Sequence, residues 1–153
     1  MFFSSGTFRL DYVAAHRIDN FNINPKQYAI NYYDPISFYN NSPQIGLTSI
    51  SFYYNGVLYT FANEENKNKF IENFRLYEPR FGGWCAYSMT EGKKVDFEPE
   101  YYSIINDSLY LFSTKEKMEN FKKDYDNLQF KAWDQWIKIL PSFDTKDSVF
   151  RMK

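Results

Sequence analysis

A turn-forming asparagine stands twice between short runs rich in aromatic and β-branched residues, and each time a helix-start pattern follows. In the first copy, Asn55-Gly56 separates residues 49–54 (SISFYY) from residues 57–61 (VLYTF). Asparagine and glycine accept the positive φ that a two-residue hairpin turn demands, so this pattern predicts a β-hairpin. Asn63, followed by two glutamates, predicts a helix N-cap directly after the second strand.

The second copy has Asn106-Asp107 between residues 101–105 (YYSII) and 108–112 (SLYLF). Ser113, with Glu116 three residues later, predicts a capping box for the next helix. Duplication and convergence on a common hairpin–helix pattern both explain the recurrence. The match has an offset of 51 residues: Asn55, Leu58, Tyr59, Phe61, Glu65 and Phe70 correspond to Asn106, Leu109, Tyr110, Phe112, Glu116 and Phe121.

An apolar stripe at helical spacing predicts a last helix over about residues 128–140, ended by Pro141. We therefore expect an α+β fold: two β-hairpin–helix units plus a C-terminal helix in a single compact domain. The expected organisation is an N-terminal extension at 1–17, a domain at 18–140 and a tail at 141–153. The stripe comprises Ala132, Trp133, Trp136, Ile137 and Leu140, and the expected core comprises Phe61, Phe70, Phe112, Phe121 and Trp136.

Composition excludes several classes of protein. The net charge of -1 over 153 residues gives no basic surface for nucleic acid. No apolar run approaches the roughly 18 residues of a membrane span. A single cysteine and a single histidine exclude an internal disulfide and a multi-histidine metal site, and leave little material for acid–base catalysis. The unusual feature of the composition is its high content of aromatic residues, which make up 22% of the chain.

Four segments resemble the bacterial YHS-domain proteins, in the same order and at similar spacing. They are residues 28–39 (YAINYYDPISFY), 82–87 (GGWCAY), 92–96 (GKKVD) and 109–112 (LYLF). The resemblance covers roughly residues 18–138 and implies a compact domain in which hairpins pack on helices. Tyr32 replaces the family's usual glycine, so we expect the turn before Asp34 to be built differently.

Related YHS modules carry cysteines in a "DPVCGM" opening and a "YFCS..C...F" junction, whose thiolates suit a soft metal such as Cu(I). On this chain the three cysteine positions fall on Ser37, Ala62 and Asn66. A stable zinc or copper site needs about three or four protein ligands. The resemblance therefore implies that the metal role is lost, and we predict no metal and no cofactor.

Five residues are candidates for ligand binding: Asp34, Tyr77, Trp84, Cys85 and Tyr87. The Cys85 thiol is either a redox or single-thiolate group, or a small buried apolar residue. The Asp34 carboxylate is either a pocket group or closes an Asx turn onto its own backbone. Asp96 and Glu98 either pair with Asp34 or lie in a solvated loop.

Two further patterns have alternative explanations. Gly82-Gly83 either cradles a phosphate through backbone N–H groups or serves backbone conformation. The aromatic residues either line one ligand-binding face or fill strands and core. The aromatic candidates are Tyr53, Tyr54, Tyr59, Tyr77, Trp84 and Tyr87.

These observations predict a non-enzymatic YHS-type binding or accessory domain for an unknown small ligand or protein partner. One alternative is a redox or metal-handling protein that uses Cys85. Another is an interaction module that docks a protein through its aromatic surface. Residues 1–8 lack the basic and apolar regions of a signal peptide. We expect a periplasmic or secreted protein if a signal was removed, as in many relatives, and a cytoplasmic one otherwise.

Overall fold

The structure, a computed structural model, describes residues 14–140; the predicted tail at 141–153 and residues 1–13 of the predicted extension lie outside this range. Helices and two separate antiparallel hairpins make up one compact domain, so the α+β prediction is confirmed. The helices are α1 (residues 14–20), α2 (Pro35–Tyr39), α3 (Glu64–Glu72), α4 (Phe74–Tyr77), α5 (Ala86–Met89), α6 (Lys115–Lys123) and α7 (Tyr125–Ile139). The strands are β1 (Leu47–Tyr54), β2 (Val57–Phe61), β3 (Tyr102–Ile105) and β4 (Ser108–Leu111), and 3₁₀ turns occupy Ile30–Tyr32 and Arg80–Gly83.

Both predicted hairpins are present. Strand β1 pairs antiparallel with β2, and β3 pairs antiparallel with β4, so each small sheet of the described range is one hairpin. The turn residues all have positive φ, with 45° and 90° at Asn55 and Gly56 and 51° and 64° at Asn106 and Asp107. The asparagines therefore start the hairpin turns for the reason that the sequence suggested.

A capped helix follows each hairpin, but one predicted cap is wrong. The Asn63 side chain accepts a hydrogen bond from the Asn66 N–H at 2.8 Å, as an N-cap does. In the second copy the cap is Thr114, whose hydroxyl accepts from the Lys117 N–H at 3.1 Å. Ser113 is not the cap because its hydroxyl donates instead to the sulfur of Cys85, at 3.5 Å.

The structural repeat is much longer than the matched hairpins. Helices α3 and α6, at Glu64–Glu72 and Lys115–Lys123, coincide at the same 51-residue offset. Asp34 and Cys85 occupy the N-cap positions of α2 and α5, although only Asp34 caps through its side chain, and their N–H groups both donate at 2.8 Å, to Gln44 O and Val95 O respectively. Matches so far from the hairpins support duplication over convergence. We call residues 28–78 the first unit and residues 79–129 the second unit.

A left-handed turn precedes the short helix of each unit. Tyr32, which stands where the resembling family has glycine, adopts φ 71°, close to the 85° of its counterpart Gly83. The packing of the first unit holds a tyrosine in a conformation that ordinarily favours glycine. Positive φ values occur at Ile30, Asn31 and Tyr32 in the first unit and at Phe81, Gly82 and Gly83 in the second.

The core consists of two clusters, one of which joins the units. In that cluster Ile30 and Phe38 of the first unit pack with Leu109 and Leu111 of the second. The other cluster joins the second unit to α7. The predicted core residues, each at most 3% exposed, are buried as expected: Phe61, Phe70, Phe112, Phe121 and Trp136.

Helix α7 buries less of its predicted apolar stripe than we expected. Ala132 and Trp136 face the core, whereas Trp133 is 45% exposed and Ile137 is 36% exposed. The full stripe is wider than the contact between α7 and the second unit. None of the helices in residues 14–140 is both long enough and apolar enough to cross a bilayer.

Helix α1 joins the domain through Arg17. Its guanidinium donates to the Asn55 carbonyl at 2.9 Å and forms an ion pair with Glu78. It also lies 4.3 Å from the ring centroid of Phe21 and 5.0 Å from that of Tyr54. The expected boundary between residues 17 and 18 falls inside this helix.

Candidate functional site

Asp34 is buried and saturated with hydrogen bonds. One carboxylate oxygen accepts from the N–H groups of Ile36 at 2.8 Å and Ser37 at 3.3 Å. The other accepts from the Ala62 N–H and the Asn66 side-chain amide, both at 2.8 Å. Asp34 therefore forms the Asx-type turn that its sequence context offers, and also ties α2 to the start of α3. No exposed carboxylate surface is left for a ligand.

Cys85 occupies the corresponding position in the second unit and is fully buried. Burial raises the pKa of the thiol, but hydrogen bonds from Ser88 and Ser113 stabilise the thiolate, and the balance lowers the pKa. The Lys117 ammonium donates to the Ser88 hydroxyl at 3.0 Å, which places a cation at the edge of this group. The hydrogen bonds therefore favour the thiolate, while burial shields the sulfur from approaching molecules.

The other three predicted site residues do not complete a pocket with these two. Trp84 adjoins Cys85 and donates its indole N–H to the Asn20 carbonyl at 2.7 Å. Tyr87 packs at the edge of the second cluster. Tyr77 belongs to the first unit, where its ring meets that of Tyr39 edge-to-face at 5.0 Å. The five residues thus divide between two units.

The three acidic candidates, Asp34, Asp96 and Glu98, do not form one site, and neither do the six aromatic candidates. Asp96 accepts from the Asn22 amide at 2.9 Å and from the Phe97 N–H at 2.8 Å. Within residues 14–140, no group of three or more histidine, cysteine or acidic side chains could hold a metal ion. The aromatic residues do not share a face, since Tyr59 is 1% exposed and Tyr53 is 59% exposed.

Gly82-Gly83 serves backbone geometry. Both residues have positive φ, at 63° and 85°. A Cβ on Gly82 would lie 2.7 Å from the Trp136 ring, and one on Gly83 would lie 2.5 Å from Ile30. The pair allows the left-handed turn to approach α7 and the first unit closely.

One accessible concave surface of the described residues lies where the second unit meets α7, and we call it the second-unit hollow. Its volume is about 360 Å³. It adjoins a smaller cavity of about 170 Å³ that extends toward Arg17 and Trp136. Six residues line the hollow: Arg80, Phe81, Ser108, Tyr110, Gln129 and Trp133.

Arg80 gives this hollow a positive charge. Its guanidinium donates to the Ser108 hydroxyl at 2.8 Å. A second hydrogen bond joins it to the Tyr110 side chain, and within residues 14–140 no carboxylate lies within ion-pair distance of it. A guanidinium carries five N–H donors, so most of its capacity remains for a ligand.

Aromatic rings form the apolar wall of the hollow. The Phe81 and Trp133 ring centroids are 6.2 Å apart. The Tyr110 hydroxyl shares a hydrogen bond of 2.8 Å with the Tyr125 hydroxyl. Burial and this hydrogen bond raise the pKa of Tyr110, so its hydroxyl stays protonated near neutral pH.

Comparisons with known proteins give no further information about this surface. No family model, no curated protein and no solved structure matches the chain.

Sequence reasoning missed the hollow. Arg80 precedes the Phe81-Gly82-Gly83 turn, and the sequence gives no reason to separate it from other surface arginines. Trp133 was placed on one apolar stripe with Trp136, and only Trp136 was expected in the core. The spacing of the two tryptophans gives no signal for the hollow, because residues three apart lie on the same face of a helix.

Proposed function

We propose that the chain is a non-enzymatic binding or accessory domain of the YHS type, which takes a small ligand in the second-unit hollow. One observation carries the proposal: the Arg80 guanidinium has no carboxylate partner among the described residues and stands beside a tryptophan that is 45% exposed. A concave surface with an apolar wall and a few polar groups is the usual form of a small-molecule site.

The positions of the family's cysteines support a role without a soft metal. In the first unit they hold Ser37, Ala62 and Asn66. The 51-residue offset relates these to Ser88, Ser113 and Lys117 in the second unit. Neither set includes a thiolate, and the Lys117 ammonium repels a cation. The duplication thus gives two copies of the position, each without the soft ligands that Cu(I) requires.

A redox or metal-handling role for Cys85 is the second candidate, favoured by the lowered pKa of this thiol. Its complete burial opposes that role, because thiol exchange needs an approaching partner. An interaction module is the third candidate, favoured by three side chains exposed on one side of α7: Phe130, Trp133 and Ile137.

A metal competition tests the proposal. The purified protein is titrated against chromophoric chelators with equimolar Cu(I) or Zn(II), with Cys85→Ser as the matched variant. We expect both proteins to leave the metal with the chelator, because a tight site needs more ligands than one thiolate. Stoichiometric, submicromolar binding by the monomer would refute the proposal. Its loss in Cys85→Ser would assign the metal to this thiol.

Thiol labelling separates the binding domain from the redox protein. A chromogenic disulfide reagent is added to native and to urea-unfolded protein at several pH values. We expect Cys85 to react slowly in the native protein and rapidly after unfolding. Fast labelling of native protein below pH 7 would favour the redox alternative.

A further inference from the structure

In the first unit, Tyr59 and Glu78, the counterparts of two residues that line the hollow, lie beside the protein's own Arg17. Arg17 bonds to the carbonyls of Asn55 and Tyr54 at the tip of the first hairpin and pairs with Glu78. Tyr59, whose hydroxyl donates to the same Glu78 carboxylate, corresponds to Tyr110 in the second unit. The first unit thus presents an anion at this place and receives a cation.

The second unit inverts this charge pattern. At the 51-residue offset, Arg80 stands at the position of Ala29, and Gln129 stands at the position of Glu78. Ser108, at the position of Val57, supplies the hydroxyl that holds the Arg80 guanidinium at 2.8 Å. The acid has been lost and a positioned cation gained, so the second unit offers a positive charge where the first unit offers a negative one.

We infer that the second-unit hollow binds a small aromatic carboxylate, with its carboxylate on Arg80 and its ring against Trp133. This inference rests on the proposed function and names the ligand class of the same site. Arginine suits a carboxylate because its planar fork donates two parallel hydrogen bonds. The half-exposed indole of Trp133 supplies a flat apolar surface for the ring.

The polar groups around the hollow complete the recognition of an acid. The Gln129 amide lines the hollow and has N–H groups to donate, and the Tyr110 hydroxyl beside it is held by the Tyr125 hydroxyl. Glu78, which lines the adjoining cavity, is already paired with Arg17. The hollow of about 360 Å³ accommodates one ring and its carboxylate.

Indole N–H signals in a two-dimensional ¹H–¹⁵N spectrum report the binding directly. The chain has three tryptophans, and a Trp133→Phe variant assigns the relevant signal by its disappearance. The probes are benzoate, its neutral analogue benzamide, and the non-planar acid cyclohexanecarboxylate. We expect benzoate to shift the Trp133 signal saturably, and each of the other two probes to bind about tenfold more weakly or worse.

Three variants locate the carboxylate. Gln129→Glu restores the first unit's acid with almost no change in shape, and we expect it to weaken benzoate binding at least about tenfold by charge repulsion. Arg80→Lys keeps the charge but loses the planar fork, so binding should weaken less than in Gln129→Glu. Lys131→Ala removes an exposed positive charge elsewhere on α7 and should leave the affinity unchanged.

The outcomes separate this inference from the proposed function. Equal affinity for benzoate and benzamide, unchanged affinity in Gln129→Glu, or no saturable shift with benzoate would each overturn the aromatic carboxylate. Equal binding of cyclohexanecarboxylate would overturn the stacking on Trp133. None of these results bears on the metal competition. Only tight binding of Cu(I) or Zn(II) in that experiment would refute the proposal of a binding domain without a metal.

Discussion

Positions 34 and 85 hold a carboxylate and a thiol at the same place in two copies of one unit. The Asp34 carboxylate accepts from four donors, which the first unit supplies from α2, from α3 and from the link between β2 and α3. A buried carboxylate without such donors would cost several kcal/mol. A buried thiol needs fewer hydrogen bonds than a buried carboxylate. In the second unit, Ser113 and Lys117 stand at the positions of the donors Ala62 and Asn66. The Ser113 hydroxyl donates to Cys85, and the Lys117 ammonium donates to Ser88.

The candidate site could be predicted only in part at this scale. The Asx turn of Asp34 follows from Asp before Pro, because its donors are two and three residues away in sequence. The donors Ala62 and Asn66 lie 28 and 32 residues away and reach Asp34 through the fold. Arg80 and Ser108, also 28 residues apart, meet in the same way.

Buried tyrosines make the stability of the fold sensitive to alkaline pH. Burial, with the nearby Glu78 carboxylate, raises the pKa of Tyr59 well above its usual value, and burial also raises those of Tyr39 and Tyr110. In the unfolded chain a tyrosine titrates near pH 10. Above that pH the unfolded state loses protons that the folded state keeps. The contribution of the buried tyrosines to the free energy of unfolding is therefore complete below about pH 10 and is lost as the pH rises further.

We predict that Tyr59→Phe flattens this pH dependence. Above about pH 10 the wild-type free energy of unfolding should fall more steeply than that of the variant, by up to about 1.4 kcal/mol per pH unit. Urea melts between pH 8 and 12 measure both slopes. Tyr53→Phe, at a side chain 59% exposed, is the matched control and should keep the wild-type slope. Parallel slopes for wild type and Tyr59→Phe would contradict the prediction.

The left-handed turn can be recognised from the sequence in the second unit but not in the first. In the second unit Gly82-Gly83 marks the turn, because glycine is the usual residue at positive φ. In the first unit the same conformation is imposed on Ile30, Asn31 and Tyr32, a β-branched and an aromatic residue among them. Only the structure of the duplicate makes that turn recognisable. The caps of α6 show a similar limit, since adjacent Ser113 and Thr114 both carry suitable hydroxyls.

Alanine substitutions at two glycines with similar φ distinguish the cost of backbone strain from the cost of a steric clash. Gly82→Ala should destabilise the protein by about 3 kcal/mol, because it adds strain at φ 63° and places a methyl group 2.7 Å from the Trp136 ring. Gly92→Ala has comparable strain at φ 72° but meets only the flexible Gln135 side chain, so about 1 kcal/mol is expected. Thermal melts of both variants measure the difference. Equal losses would show that contact with Trp136 contributes nothing.

At the scale of the molecule, the repeat can be recognised from the sequence in the hairpin half of each unit but not in the other half. Turn chemistry and strand aromatics constrain both hairpins alike, so the 51-residue offset is visible there. The segments around Asp34 and Cys85 have diverged in sequence while keeping their backbone hydrogen bonds. The two hairpins, the helix after each and the last helix were therefore predictable, whereas the short helices α2, α4 and α5 were not, and the hollow depends on how the second unit meets α7.

The shared cluster makes the two units one cooperative body. The Phe38 ring of the first unit lies 5.1 Å from that of Tyr102 and 6.4 Å from that of Phe97 in the second unit. Neither unit can unfold without exposing apolar surface of the other, which carries a large free-energy cost. Cooperative unfolding should therefore extend across residues 28–129.

The distribution of tryptophans permits a direct test of this coupling. All three tryptophans, at 84, 133 and 136, lie in the second unit or α7. Phe70 lies in the first unit, where its ring packs 4.9 Å from that of Tyr59 and 5.3 Å from that of Phe61. Phe70→Ala should cost about 3–5 kcal/mol, the usual range for a buried phenylalanine.

We predict that Phe70→Ala lowers the urea midpoint equally by tryptophan fluorescence and by far-ultraviolet circular dichroism. The fluorescence reports only on the second unit and α7, so it can follow a first-unit substitution only if the units unfold together. Phe121→Ala is the matched control, because Phe121 occupies the corresponding position of the second unit, 5.3 Å from Phe112. It should shift both signals by a similar amount. A fluorescence midpoint that stays at the wild-type value in Phe70→Ala, with a lowered circular dichroism midpoint, would show that each unit folds independently.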